Sequence, residues 1–132
     1  MVLVDTSVWV DFFNGKITGQ TEKLDYYLSS TVLVVGDLIL AEVLQGFRSD
    51  KDYRIAKSLL IELELVQLCN TNLAIQSAQN YRTLRKQGIT IRKTIDCLIA
   101  TYCIETKTPL LFSDRDFVPY VENMKLRDAS VL

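Results

Sequence analysis

Met1-Val2-Leu3-Val4-Asp5-Thr6-Ser7-Val8-Trp9-Val10-Asp11 is the stretch that decides the fold. Val2, Leu3 and Val4 form a short apolar run, rich in β-branched residues, that stops at Asp5. Such a run with a polar end predicts a buried strand. Thr6 and Ser7 are N-cap residue types, and Val8, Trp9, Phe12 and Phe13 recur at helical spacing, so a helix is expected directly after Asp5. A carboxylate where a buried strand turns into a helix stands at the edge where open α/β sheets bind ligands. A capping role alone would also account for Asp5, and the acids further along the chain weigh against it.

Working outward, apolar strands are expected at 31–35, 65–68 and 109–112, with an edge strand at Lys125 to Asp128. Helices are expected at 21–30, with Leu24, Tyr27 and Leu28 inward, then at 38–47 with Asp37 as N-cap, and at 53–62. Further helices are expected from Asn70 and Thr71 to Lys86, stopped by Gly88, and from Thr94 to about Glu105, with a short helix or turn at 117–123. Strands alternating with helices predict an α/β fold: one domain over residues 1–132, its central, mostly parallel sheet of four to five strands carrying helices on both faces.

Composition narrows the chemistry. The 132 residues are 48% hydrophobic and 23% charged, with a net charge of −1, so average charge points to no partner. There is no His, which removes Ser-His and Cys-His catalysis and the commonest zinc ligand. Cys69, Cys97 and Cys103 are odd in number, form no CxxC pair and have apolar neighbours, which predicts buried thiols in a reducing cytoplasm. The opening run ends at Asp5 without a basic flank, unlike a signal peptide. No uninterrupted apolar segment approaches the ~18 residues of a membrane span. The lack of a GxGxxG after any strand excludes dinucleotide binding.

The acids are the informative residues. Glu42 lies in Leu38-Ile-Leu-Ala-Glu-Val-Leu44, a helix apolar nearly all round. Burial is expected there, and a buried carboxylate must be paired, protonated or metal-bound. Asp96 falls in the first turn of the apolar helix Thr94-Ile-Asp-Cys-Leu-Ile-Ala100, where the helix dipole also favours an acid. Asp114 and Asp116 follow the strand Leu110-Leu-Phe112 just as Asp5 follows the first. A doubly wound sheet would bring these positions to one edge. Four or five carboxylates together repel and cannot all stay ionised. Hard cations held by oxygen resolve this, Mg²⁺ or Mn²⁺ rather than zinc, and such a cluster suits metal-assisted phosphodiester hydrolysis.

No acid lies between Glu64 and Asp96, where Arg82, Arg85, Lys86, Arg92 and Lys93 all occur. A basic surface running into an anionic metal site suits a polyanion whose phosphates need steering. A basic helix end favoured by the dipole explains the first three, and Arg92 and Lys93 less well. Arg48, Lys51, Arg54 and Lys57 are diluted by Asp50 and Asp52 and read as solvated surface.

The pieces 2–9, 38–43, 88–100 and 110–117 together resemble, in order and spacing, the PIN-domain nucleases and among them the VapC-type toxins of toxin–antitoxin pairs. The resemblance implies Mg²⁺- or Mn²⁺-dependent cleavage of single-stranded or looped RNA, inhibition by a VapB-like antitoxin, and a homodimer. It places Asp5, Glu42, Asp96 and Asp114 on the family's acidic quartet and Thr6 or Ser7 on a hydroxyl beside the site; the last loop offers both Asp114 and Asp116 as the nearer ligand, with Asp114 favoured to touch the metal and Asp116 to stand behind it. Two other classes compete. One is phosphoryl transfer through an aspartyl-phosphate on Asp5, which usually needs a second Asp two residues on, where this chain has Ser7. The other is a catalytically silent module that only holds RNA or protein, against which the complete set of acids argues.

Overall fold

The computed structural model describes residues 1–132. Four strands form one sheet: β1 (Val2–Val4), β2 (Leu33–Gly36), β3 (Glu64–Val66) and β4 (Leu110–Leu111), in the order β3-β2-β1-β4 and all parallel. Leu3 is paired with Val34 on one side and Leu110 on the other. Leu3, Val4, Val34, Val35, Leu110 and Leu111 are wholly buried, because central strands of a parallel sheet are covered on both faces. Edge strand β3 is different: Glu64 and Leu65 are exposed.

Seven helices fill the connections: α1 (Thr6–Phe13), α2 (Gly19–Ser30), α3 (Asp37–Gln45), α4 (Asp50–Leu60), α5 (Thr71–Lys86), α6 (Thr94–Thr106) and α7 (Val118–Met124). The path β1-β2-β3 runs to one side of β1, and β4 returns to its other side. Right-handed crossovers therefore put α1 to α4 on one face and the packed pair α5 and α6 on the other. The order reverses between β1 and β4, and the crevice beyond the carboxyl ends of those two strands is where such a sheet takes a ligand.

Local chemistry sets several boundaries. Asn70 caps α5 by accepting from the Leu73 N–H (2.9 Å), and Thr18 caps α2 in a reciprocal box with Thr21. Gly88, at φ +79°, turns the chain out of α5 with a left-handed conformation that glycine adopts freely. Gly36 ends β2 where a Cβ would run into the side chain of Leu68.

Four expectations are corrected. Asp37 is the first residue of α3, not its cap. Gly36 occupies the cap position, and Asp37 Oδ1 accepts from the N–H groups of Leu38 (2.9 Å) and Leu68 (3.0 Å), fastening the chain after β3 to α3. The segment from Lys125 to Asp128 makes only a bridge from Leu110 to Asp128 and one bond from Leu110 N–H to the Arg127 carbonyl (2.9 Å), so it forms no strand. Helix α3 buries only Ile39 and Val43 fully, leaving Ala41 and Gln45 exposed, because neighbouring helices cover one stripe of its apolar surface. Cys69 is exposed, whereas Cys97 and Cys103 are buried, and all three are free. No helix is long and apolar enough to cross a membrane.

Candidate active site

Asp5 leaves the end of β1 and is 4% exposed. Its Oδ2 accepts from both the N–H (3.0 Å) and the hydroxyl (2.6 Å) of Ser7. The side chain therefore caps α1 at the carboxyl end of β1. Burial pushes its carboxyl above the ordinary range, against the Ser7 bonds that pull it down, and Glu42 adds to the rise. The Ser7 hydroxyl also accepts from the Ser113 N–H (3.1 Å), so it braces the end of β1 against the loop after β4. Thr6 donates its hydroxyl to Glu42 Oε1 (2.8 Å) and so ties α1 to α3. Glu42 is half-buried, less covered than an all-apolar helix would imply.

Asp96 lies in the first turn of α6, a helix that precedes β4 and so begins at the carboxyl edge of the sheet. It is buried, and its Oδ2 has no hydrogen-bond partner. Burial first, then Asp5, Asp114 and Glu42, push its carboxyl up to about 7, while Lys93 pulls the other way. Asp114 opens a 3₁₀ turn at Arg115–Phe117, its Oδ1 accepting from the Asp116 N–H (2.9 Å). That turn aims Asp114 and Asp116 together: carboxylate oxygens of Asp96, Asp114 and Asp116 lie within 4.8 Å of one another. Both acids of the loop thus meet Asp96, and Asp5 and Glu42 stand outside that triad but near enough to raise Asp96.

Lys93 Nζ lies 3.8 Å from Asp114 Oδ2, the one ion pair of the chain. A single exposed lysine does not balance five carboxylates. The all-oxygen donor set, with an unpartnered buried oxygen on Asp96, suits a hard cation.

The basic residues divide. Arg92 and Lys93 line a cavity of about 330 Å³ with Asp96 and Asp116. Arg82 and Arg85 line a separate groove between α5 and α6, beside Tyr81 and Leu98, and Lys86 is exposed and lines neither. Two further lining residues, Arg115 and Tyr120, carried a weaker signal. Arg115 could have been read from the same Asp114-Arg115-Asp116 loop, whereas Tyr120 is brought in by the turn of α7 and has no local mark.

Known proteins resemble this chain in sequence and fold. The chain is 27% identical over 132 residues, 98% of each protein, to VapC ribonuclease Mb1587 of Mycobacterium bovis. Its fold is similar to that in a complex of VapBC2 from Rickettsia felis with promoter DNA (TM-score 0.75, 16% identity, 96% of each chain). It is similar also to that in VapBC-1 of nontypeable Haemophilus influenzae (TM-score 0.73, 19% identity, 98% of this chain and 99% of that one). The model of the PIN domain matches residues 2–121, and the chain therefore belongs to the PIN-domain family.

Proposed function

We propose that this protein is a metal-dependent endoribonuclease, the toxin of a VapBC-type pair, acting as one PIN domain over residues 1–132 in the cytoplasm. The observation that carries this is the meeting of Asp96, Asp114 and Asp116 oxygens within 4.8 Å beside Asp5 and Glu42, at the switch point of the sheet. Support comes from a relative named a VapC ribonuclease over 98% of both chains, and from structural neighbours that are VapBC complexes. The partners that follow are RNA, a VapB-like antitoxin and a second copy of this chain.

In this reading Asp5, Glu42, Asp96, Asp114 and Asp116 would hold Mg²⁺ or Mn²⁺. The bound ion would supply positive charge to the scissile phosphate and a water of lowered pKa. The protein's own residues do the rest. Ser7 fixes the Asp5 carboxylate, and Thr6 fixes that of Glu42. Burial and the neighbouring acids keep Asp96 partly protonated near neutral pH, so holding a cation there would require loss of that proton. Lys93 offsets part of the acids' repulsion toward phosphate, and Arg92 extends the positive surface. Arg82, Arg85 and Lys86 act at longer range, drawing the strand along α5.

The test is cleavage of a mixed RNA by purified protein. Cleavage with Mg²⁺ or Mn²⁺, lost in EDTA, regained on adding the ion back and abolished by Asp96→Asn is the expected result. Activity persisting in excess EDTA would refute the metal mechanism. RNA binding without cleavage under any divalent ion would leave a silent binding module.

A further inference from the structure

The cavity beside the carboxylates has a composition that the metal reading does not use. Arg115 sits between Asp114 and Asp116 in sequence yet forms an ion pair with neither. Asp114 instead binds the backbone N–H of Asp116, which leaves the Arg115 side chain on the cavity wall. Arg92, on the same cavity, is likewise unpaired, and Lys93 reaches Asp114 only at 3.8 Å. Two uncommitted guanidiniums and an ammonium thus stand next to Asp96 and Asp116. Thr90, Ile91, Pro119 and Tyr120 complete the lining. Tyr120 is wholly buried, and its hydroxyl has no hydrogen-bond partner. Burial, and next the Cys97 thiol beside it, push that hydroxyl's pKa up, so Tyr120 closes the cavity wall and offers no reachable donor.

We infer that this cavity is a subsite for one nucleotide of a single RNA strand adjoining the scissile phosphate, with Arg115 holding the neighbouring phosphate. This deepens the proposed function and rests on it. The guanidinium fork matches phosphate oxygens in bidentate fashion, and Arg92 and Lys93 lie close enough to share the charge. Asp96 and Asp116 border the subsite on the side of the metal-binding acids, so a strand seated here presents its next phosphate to them. At about 330 Å³ the cavity is at the small end of ligand sites, room for a nucleotide and not for a duplex.

The test separates binding from cleavage. A fluorescein-labelled single-stranded 12-nucleotide RNA of mixed sequence is titrated with protein in EDTA across a salt series, while cleavage of the same RNA is followed in Mn²⁺. Arg115→Gln should weaken binding about fivefold and reduce the slope of log K against log salt by about 0.7, the value for one lost phosphate contact on a single strand. Arg115→Lys should keep the slope. Arg54→Gln, on exposed α4, should change nothing. Wild-type cleavage with an Arg115→Gln slope and KM equal to wild type overturns the subsite and leaves the nuclease standing. An Arg115-dependent slope without cleavage overturns the nuclease and leaves an RNA-binding cavity. No binding of this RNA by wild type overturns the subsite outright.

Discussion

Asp96 carries a stability consequence that can be measured without substrate. Its carboxyl is pushed up to about 7 by burial and by the neighbouring acids, so between roughly pH 4 and 7 the folded chain keeps a proton that the unfolded chain releases. The metal-free protein is therefore most favoured by this group below pH 4 and loses that contribution, about 4 kcal/mol at most, as pH rises toward 7. Melting in chelator at pH 5 and pH 7.5 should show a steeper fall for wild type than for Asp96→Asn. Parallel falls would mean that the carboxyl is not desolvated. Ser7 makes a second prediction at this scale. Ser7→Ala removes the 2.6 Å bond to Asp5 and the acceptor of the Ser113 N–H, so it should cost about 1–3 kcal/mol. Activity should fall about 10–100-fold, as when a residue orienting a ligand is lost. Stability loss with full activity would make Ser7 a cap and no more. The hydroxyl at position 7 was visible in the sequence, but its bond to Ser113 was not, since it joins residues 106 apart across two strands.

Elements were legible in proportion to their periodic signal. The order of strands and helices follows from apolar runs and caps, and every acid of the site except Glu42, which lies within α3, is near a strand end or helix start that the runs already mark. What the runs could not show is coverage. Leu38, Leu40 and Leu44 make α3 look wholly buried, yet they are half-covered, because a period tells which residues share a face and not how much of it a neighbour hides. Strand β4 is only Leu110–Leu111, although apolar sequence extends on both sides, since pairing with β1 covers two residues. Gly36 shows the reverse case, a residue whose role exists only between elements. A Cβ there meets the buried Leu68, whose backbone is held to α3 through Asp37. Gly36→Ala should cost about 1–3 kcal/mol by overpacking. Combining it with Leu68→Ala should cost less than the sum of the two single changes, since the smaller side chain makes room. Additive costs in denaturant unfolding would show that the two do not touch.

For the molecule as a whole, net charge of −1 conceals how the charge is arranged. Asp5, Glu42, Asp96, Asp114 and Asp116 come from β1, α3, α6 and the loop after β4, so one cation held among them would clamp both halves of the sheet about its switch point. Such a cation binds the folded chain and not the unfolded one, and at a hundredfold excess over its Kd it adds about 2.7 kcal/mol. For a chain of this size that corresponds to a rise in Tm on the order of 10 °C. Asp5→Asn isolates the charge from the cap, because Asn caps a helix about as well as Asp and keeps an oxygen for the Ser7 N–H. In chelator the variant should melt at or slightly above wild type, since one buried acid no longer repels the others. On adding Mn²⁺ the wild type should rise and the variant should not. A variant that melts well below wild type in chelator yet keeps the full Mn²⁺ increment would return Asp5 to capping alone and move the cation wholly onto Asp96, Asp114 and Asp116.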